Sequence, residues 1–363
     1  MSTFVRGIGL AVPPHTMTQQ QALELARGVN CRSEQQQRLA TTLYRKSGVL
    51  NRHTSLPYEL GYEWLRSNPT NESAAGPQRG PSTGQRMELF AELAPLLAKS
   101  ASAKALAAAA TPADEITHLV VVSCTGFQSP GLDHALMSSL SLSPTTERLQ
   151  IGFMGCHGAI NGLRAALAIC ESTPSAHVLL SATELSSVHY QLNWNADQMV
   201  AQALFADGAA AVVLSSQSFK NGNPWRLAAT GSCLIPNSAA AMGWKIGDHG
   251  FEMKLDACVP ELIKENLRPW LTKWLSDHDL TLQNVGSWAI HPGGPRILTA
   301  IEQSLDLSTD QTAASREILA NYGNMSSPTV LFIVNRLREL HSPMPCVALG
   351  FGPGMFAEAA LFV

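Results

Sequence analysis

The sequence predicts an α/β protein built from two similar halves. Continuous apolar runs such as residues 116–123 alternate with helical patterns, which is typical of strands buried on both faces of a sheet. The chain has 363 residues, of which 45% are hydrophobic and only 15% are charged, so it can bury a large core and form two domains. The order of its parts also repeats. A predicted strand ends at Cys124 and a helix opens at Cys156. In the same order, a later strand ends at His291 and a helix opens at Asn324.

The repeat has nearly constant spacing, because its two marker positions lie 32 residues apart in the first half and 33 in the second. Two such units packed face to face would bring Cys156, His291 and Asn324 together near a pseudo-twofold axis. Alternation of helices and strands by itself can also produce such a match. We place the boundary at the Asn-Gly-Asn-Pro run after residue 220, which gives an N-terminal half of residues 1–220 and a C-terminal half of residues 221–363.

The first half has a clear order of predicted elements. Thr18 has the side chain and position of a helix N-cap. Residues 55–85 are rich in proline, glycine and polar side chains, and we interpret them as a long surface loop, an insertion without function rather than a lid. The predicted strands are 4–12, 116–123, 177–182 and 209–214, and the predicted helices are 19–26, 33–46, 83–110, 133–140 and 159–167.

The second half follows the same alternation. Its predicted strands are 225–233, 285–290, 346–350 and 357–362, and its helical segments are 251–274, 315–319 and 329–340. A Phe-Gly-Pro-Gly turn at 351–354 joins the last two strands.

Charge and composition argue against several classes of function. The formal net charge is −3 and there are no runs of lysine and arginine, so neither a nucleic acid nor a membrane surface is an expected partner. The N-terminus lacks a signal-peptide pattern and no apolar run has the length of a membrane span, which favours a cytoplasmic protein. The seven cysteines are scattered without zinc-site spacing, so we expect reduced thiols and no metal.

Cys156 is the candidate nucleophile. It lies between a short apolar run and a predicted helix, where unpaired backbone N–H groups and the helix dipole favour a thiolate. Gly155 and Gly158 would leave room for a bulky acyl group to approach. The alternative is that Cys156 is a small hydrophobic residue of the core, as buried cysteines usually are.

His291 and Asn324 supply the chemistry that a cysteine nucleophile needs. A thiolate attacks an acyl thioester, and a nearby histidine can act as base or cation. A histidine and an asparagine amide can also form an oxyanion hole, worth roughly 3 kcal/mol per donor. Without a carboxylate base, an enolate nucleophile must come from decarboxylation of a malonyl thioester.

Alternatively, His291 is an ordinary loop residue and Asn324 only caps a helix. A thiolase would use a second cysteine, and Cys346 lies in a predicted buried strand.

Five motifs together resemble those of the type III polyketide synthases, the chalcone synthase-like branch of the thiolase superfamily. They are Gly155-Cys156 with the following Gly158-Ala159, and the segments 202–210, 290–295, 322–327 and 350–354. The resemblance spans nearly the whole chain and implies a thiolase fold, in which two α/β halves form a layered αβαβα arrangement. It also implies a homodimer.

The resemblance further implies an acyltransferase whose substrates are acyl-CoA and malonyl-CoA and which needs no cofactor. Cys156 would carry the acyl group, while His291 and Asn324 would drive decarboxylation. Phe205 and Phe251 would be gatekeepers that orient the malonyl group and exclude water. The other implied substrate-binding residues are Thr125, Ser186, His189, Met242 and Ser326 in the pocket, and Lys46 and Arg296 at the CoA phosphates.

Departures from the plant enzymes leave the starter and product open. Ser129 lies where many members have a methionine that reaches into the partner subunit, and His189 and Met242 differ from the usual pocket residues. We expect an aliphatic acyl-CoA starter and a pyrone or phenolic product.

One alternative is an initiating β-ketoacyl carrier-protein synthase, which performs a single condensation. Another is a hydroxymethylglutaryl-CoA synthase, which needs a glutamate that the sequence does not place. The last is a non-catalytic thiolase-fold subunit.

Overall fold

The computed structural model describes residues 2–67, 72–73, 76–77, 80–217 and 225–363. The strands are β1 (Thr3–Ala11), β2 (His15–Thr18), β3 (Asn51–Thr54), β4 (Glu72–Ser73), β5 (Gly76–Pro77), β6 (His118–Ser123), β7 (Glu147–Gly152), β8 (His177–Leu185), β9 (Asp207–Ser215), β10 (Arg226–Leu234), β11 (Met242–Gly247), β12 (Gly250–Leu255), β13 (Ser287–Ile290), β14 (Cys346–Gly352) and β15 (Phe356–Phe362). The α-helices are α1 (Gln19–Val29), α2 (Glu34–Arg45), α3 (Leu60–Ser67), α4 (Thr83–Ala109), α5 (Leu132–Leu140), α6 (Gly158–Ser172), α7 (Ala196–Leu204), α8 (Val259–Ser276), α9 (Pro295–Leu305), α10 (Ala313–Tyr322) and α11 (Thr329–Glu339).

Nine strands form one mixed sheet in the order β13-β14-β15-β10-β1-β9-β8-β6-β7. In the first half, β6 and β8 are parallel, and β9 pairs antiparallel with both β8 and β1. The second half has the same pattern, with β13 parallel to β14 and β15 antiparallel to both β14 and β10. The two patterns meet where β1 pairs with β10, at Thr3 and Leu227. The predicted repeat of the two halves is therefore confirmed, although β7 has no counterpart among the described strands of the second half.

Helices fill the layers around this sheet. α6 and α11 contribute to one buried cluster together with strands of both halves, so they lie at the centre of the molecule. α4 and α5 pack on the strands of the first half, and α8 and α9 pack on those of the second. The N-termini of the two central helices meet, because a Cβ atom added at Gly158 would lie 3.4 Å from Ser327 Cβ. This packing is the predicted layered αβαβα arrangement.

Most predicted elements agree with the structure to within a few residues. The Thr18 cap is confirmed, since its hydroxyl accepts a hydrogen bond from the backbone N–H of Gln21. The prediction of an unbroken loop over 55–85 is wrong, because this segment contains α3. Helix α3 is amphipathic and buries Trp64 against the core of the first half. The proposed Asn-Gly-Asn-Pro boundary, at 221–224, lies outside the described residues, as do residues 68–71, 74–75 and 78–79 of the predicted loop.

The prediction that 251–274 is mainly helical is confirmed from Val259 onward, but residues 251–255 form a strand. β11 and β12 form a hairpin, and α8 begins only at Val259, with Pro260 in its first turn. Residues 251–255 alternate apolar and polar side chains with a period of two, which is the strand pattern that the helical interpretation missed. In the part of the chain that the structure describes, no helix is long and apolar enough to cross a membrane.

Candidate active site

As predicted, Cys156 lies in a turn between a strand and a helix. β7 ends at Gly152, a single 3-10 turn spans 155–157, and α6 begins at Gly158. Gly155 has a φ of +73°, and a Cβ atom there would lie only 2.2 Å from Pro353 Cδ. Only glycine fits this turn without displacing its neighbour. The turn leaves Cys156 half-buried at the N-terminus of a central helix.

Asn324 lies beside the sulfur. Its backbone bridges to the segment around Phe205, accepting a hydrogen bond from Ala206 N at 2.9 Å. Its side-chain oxygen accepts from Ser326 N at 2.8 Å, which turns the amide nitrogen towards Cys156. The distance from Asn324 Nδ2 to Cys156 Sγ is 4.0 Å. The carboxamide therefore offers an N–H donor beside the sulfur of Cys156.

His291 follows β13 directly and is buried. Its backbone N–H donates to Leu349 O at 2.8 Å, and the adjacent Gly350 packs against His157, the residue after Cys156. Neither ring nitrogen of His291 has a hydrogen-bond partner among the residues that the structure describes. Burial, with a smaller effect of His157, lowers the pKa of His291 to about 3, so the imidazole is neutral at pH 7. A neutral buried imidazole with both nitrogens unpaired can accept a proton or donate an N–H to a substrate.

The charge state of Cys156 differs from the sequence-based expectation. The pKa of the Cys156 thiol is raised to about 11, mainly by burial and in smaller part by the nearby Glu184 carboxylate. Hydrogen bonds from Ser326 and Asn324 act in the opposite direction but do not outweigh the loss of solvent. The position at a helix N-terminus thus does not by itself produce a thiolate. The sulfur needs a base that takes its proton.

Glu184 at the end of β8 is a site residue that the sequence analysis missed. Its carboxylate is fully buried and accepts hydrogen bonds from Ser327 Oγ at 2.6 Å, Thr125 Oγ1 at 2.7 Å and the backbone N–H groups of Cys124 and Thr125. It joins the loop after β6 to the loop that carries Asn324. An acidic residue at the end of an otherwise apolar strand was the available signal. All these partners are neutral donors, so the carboxylate positions the chamber walls.

Cys156 opens into a chamber with an empty volume of about 410 Å³, which we call the cysteine chamber. Trp244 and Met253 from the mispredicted hairpin complete its wall, and Trp244 Nε1 donates to Cys124 O at 2.8 Å. Five predicted pocket residues also line it, namely Thr125, Ser186, Phe205, Met242 and Ser326.

A second cavity, which we call the far chamber, has an empty volume of about 810 Å³ and shares the wall formed by Ser186, Phe205 and Trp244. Phe251 and His189 lie in its lining rather than in that of the cysteine chamber. Their rings stack with centroids 4.1 Å apart, and Phe251 N donates to His189 Nδ1 at 3.0 Å. Burial lowers the pKa of His189 to about 3. The neutral histidine therefore fixes the predicted gatekeeper in place.

Lys46 and Arg296 lie together on a third cavity, an open groove of about 1730 Å³ that also includes Lys254. We call it the cationic groove. The groove adjoins the cysteine chamber, because consecutive residues of the chain line the two cavities. Leu204 and Lys254 line the groove, and the adjacent Phe205 and Met253 line the chamber. The structure thus places the two predicted phosphate-binding residues on one groove beside the cysteine chamber.

Comparison with known proteins identifies the same family as the sequence motifs, over the full length of the chain. Residues 2–218 match the family model for the N-terminal domain of chalcone and stilbene synthases, and residues 226–363 match that for the C-terminal domain. The chain is 32% identical over 364 residues to a 1,3,6,8-tetrahydroxynaphthalene synthase of Streptomyces peucetius subsp. caesius, covering 99% of this chain and 92% of the relative.

Two further comparisons extend this result. The chain is 30% identical over 366 residues to the α-pyrone synthesis polyketide synthase-like Pks18 of Mycobacterium tuberculosis, covering 99% of this chain and 90% of the relative. The crystal structure of PKS-I from the brown alga Ectocarpus siliculosus superposes with a TM-score of 0.91 at 29% identity, covering 99% of this chain and 98% of that one. The chain therefore belongs to the chalcone and stilbene synthase family and is an acyltransferase of the type III polyketide synthase class.

Proposed function

We propose that this enzyme loads an acyl-CoA starter on Cys156 and extends it by decarboxylative condensation with malonyl-CoA. The observation that carries the proposal is the Asn324 carboxamide nitrogen 4.0 Å from Cys156 Sγ, within a chamber that adjoins the cationic groove. The unpaired ring nitrogens of His291 supply the remaining polar groups.

In the loading step, His291 takes the proton of Cys156 while the sulfur attacks the carbonyl carbon of the acyl-CoA. A carbon–sulfur bond to Cys156 forms, the bond to the CoA sulfur breaks, and His291 returns the proton to the departing CoA thiolate. A transient thiolate and imidazolium pair avoids an isolated charge on the buried sulfur.

In the extension step, malonyl-CoA loses carbon dioxide and the electron pair of the broken bond passes into an enolate. N–H donors of Asn324 and His291 stabilise the enolate oxygen, as in an oxyanion hole. The enolate carbon then attacks the thioester carbonyl on Cys156, which forms the new carbon–carbon bond and releases the cysteine sulfur. The extended chain, now on CoA, can load again.

Lys46 and Arg296 bind the CoA phosphates in this proposal, because both are cations on the cationic groove, as is Lys254, and this groove adjoins the cysteine chamber. An aliphatic starter suits the apolar far chamber beyond Phe205 and Trp244. Release yields a pyrone or a phenolic ring, the enzyme acts as a homodimer, and no cofactor is needed because the CoA thioesters carry the reactive groups.

The test is to incubate the purified enzyme with malonyl-CoA and hexanoyl-, octanoyl-, decanoyl- or dodecanoyl-CoA, and to identify products by mass. We expect polyketides that contain the starter, release of carbon dioxide, and loss of at least about 10³-fold in product formation in Cys156→Ala. Extension by a malonyl carrier protein but not by malonyl-CoA would contradict the proposal.

A further inference from the structure

The far chamber contains polar atoms that the chain leaves unpaired. Among the residues that the structure describes, Tyr44 Oη, Arg52 Nε and Gln202 Oε1 are buried and have no hydrogen-bond partner. All three residues line the far chamber, and Tyr44 and Arg52 are only 1% and 3% exposed. Buried polar groups in folded proteins normally have partners, so three unpaired ones on a single cavity point to a ligand with matching polar atoms.

Arg52 in particular has room for one more acceptor. Its Nη1 donates to Gln202 O at 2.5 Å and Phe205 O at 2.9 Å, and its Nη2 donates to Ala203 O at 2.9 Å and to Gln19 Oε1. These acceptors are neutral, and no carboxylate in the described part of the chain forms an ion pair with Arg52. Arg52 is therefore a buried cation whose Nε–H has no acceptor among the described residues. Its positive charge strengthens a hydrogen bond from this N–H to an oxygen atom of a ligand.

The side chain of Gln202 has a defined orientation. Its amide nitrogen donates to Gln191 O at 2.6 Å, which leaves Oε1 as the free acceptor. The three groups thus comprise two donors and one acceptor, a set that matches a hydroxyl group or, through the donors, a carboxylate.

Most of the other lining residues are apolar. Leu25, Leu56, Leu60 and Trp64 face the same cavity, which suits the hydrocarbon body of a ligand rather than a polar one. A ligand with an apolar body and one polar end fits this distribution.

We propose that the far chamber binds the distal end of the starter acyl chain and selects chains whose end carries an oxygen acceptor, either a hydroxyl group or a carboxylate. The chain reaches it from Cys156 past the shared wall of Ser186, Phe205 and Trp244. Tyr44 and Arg52 donate hydrogen bonds to the terminal oxygen, and Gln202 accepts one from a terminal hydroxyl. The inference rests on the proposed function, because Cys156 must hold the other end of the chain.

Tyr44→Phe tests the inference because it removes only the unpaired hydroxyl and keeps the ring. We compare octanoyl-CoA with its ω-hydroxy and ω-carboxy derivatives, together with the same series on hexanoyl-, decanoyl- and dodecanoyl-CoA, as starters with malonyl-CoA. At the chain length that reaches Tyr44, the ratio of kcat/KM for an oxygenated starter to that for the plain one falls about fivefold or more in Tyr44→Phe. Tyr62→Phe is the matched control, because Tyr62 Oη is not in the chamber lining and donates to Glu24 O at 3.3 Å.

Binding provides a readout that does not require turnover. In a Cys156→Ala background, Trp64 and Trp244 report on the far chamber through their fluorescence, and the same ratio is measured from dissociation constants. An unchanged ratio in Tyr44→Phe at every chain length would overturn the inference, while extension of plain starters would leave the proposed function standing. If no starter is extended but the binding ratio falls in Tyr44→Phe, the far chamber is confirmed and the proposed function fails.

Discussion

At the scale of single residues, the site combines a thiol and an imidazole that burial keeps neutral. The pKa of Cys156 is raised to about 11 and that of His291 is lowered to about 3. Each shift disfavours a charged group on its own, whereas transfer of one proton between the two creates charges that stabilise each other. We therefore expect the reactivity of the sulfur near neutral pH to depend on His291.

We expect His291→Gln to move the alkylation of Cys156 by iodoacetamide to higher pH. Without the imidazole the sulfur must ionise alone, and with a pKa of about 11 only about 0.1% of it is thiolate at pH 8. The rate in His291→Gln should then rise about tenfold per pH unit between pH 8 and pH 10, while the wild type reacts faster at pH 8. The rate is measured by mass spectrometry of the Cys156 peptide.

His157→Gln is the control for this experiment. His157 also lies next to Cys156, but its Nδ1 pairs with Asn161 Oδ1 at 2.7 Å, and we assign it no role as base. We expect the wild-type pH profile in this variant. Identical profiles for His291→Gln and the wild type would show that His291 does not take the proton. Preferential labelling of Cys124 or Cys258 would count against Cys156 as the nucleophile.

The residues that the sequence could identify were those with distinctive neighbours. Cys156 and Asn324 each follow a glycine at a predicted helix start, and the structure brings them to 4.0 Å. Glu184 and Trp244 could not be assigned in this way. Their roles come from contacts across the fold, with Ser327 and with the backbone of Cys124, at separations of more than 100 residues in the chain.

At the scale of elements, the chambers are built by a hairpin and a turn. The β11–β12 hairpin supplies Met242, Trp244 and Phe251, and its strand alternation lies in a segment that also ends in a long helix. The helical periodicity of apolar residues in α8 therefore obscured the short strand-like alternation that precedes it. By contrast, the turn that presents Cys156 could be predicted, because an apolar strand, a glycine and a helical pattern follow one another directly.

We expect Gly155→Ala to impair both stability and catalysis. The φ of +73° is strained for alanine, and the new Cβ would lie 2.2 Å from Pro353 Cδ, so the turn carrying Cys156 must move. The free energy of unfolding should fall by about 1–3 kcal/mol. A shift of the sulfur by about 1 Å should lower kcat by up to about 100-fold. Urea denaturation and steady-state kinetics measure the two effects.

Gly152→Ala provides the comparison, because it lies on the same connection. A Cβ atom there would meet only Ser123 O, at 3.8 Å, which is an ordinary contact. We expect changes in unfolding free energy within about 0.5 kcal/mol and nearly unchanged kcat. Equal effects of the two substitutions would mean that the Gly155 turn is not what places the nucleophile.

At the scale of the whole molecule, two similar halves meet along β1 and β10 and leave the opposite end of the first half open. β7 is the last of the described strands at that end of the sheet, and large apolar side chains remain exposed beside it: Phe127, Leu149, Phe153 and Met154, each between 37% and 49% exposed. An apolar patch along an unpaired strand edge marks a surface that associates. We propose that a second copy of this chain covers it.

This surface is continuous with the wall of the far chamber. The rings of Phe127 and Phe153 lie 6.3 Å and 5.6 Å from that of Phe251, measured between centroids. Covering the patch would therefore hold the aromatic cluster that fixes Phe251. Under this proposal, we expect the association of two subunits to affect the shape of the far chamber.

We expect the wild type to be a dimer at micromolar concentration and Leu149→Glu to weaken it. The substitution places one carboxylate on each side of a twofold interface, and each would be buried without a partner. This should raise the dimer dissociation constant at least about tenfold. Sedimentation equilibrium over a dilution series measures this constant. Leu340→Glu is the matched control, because Leu340 is 51% exposed at the C-terminal cap of α11 and is not part of the exposed patch beside β7, so the substitution should leave the constant unchanged. A wild type that is monomeric at all concentrations, or equal constants for the two variants, would exclude the β7 edge as the dimer interface.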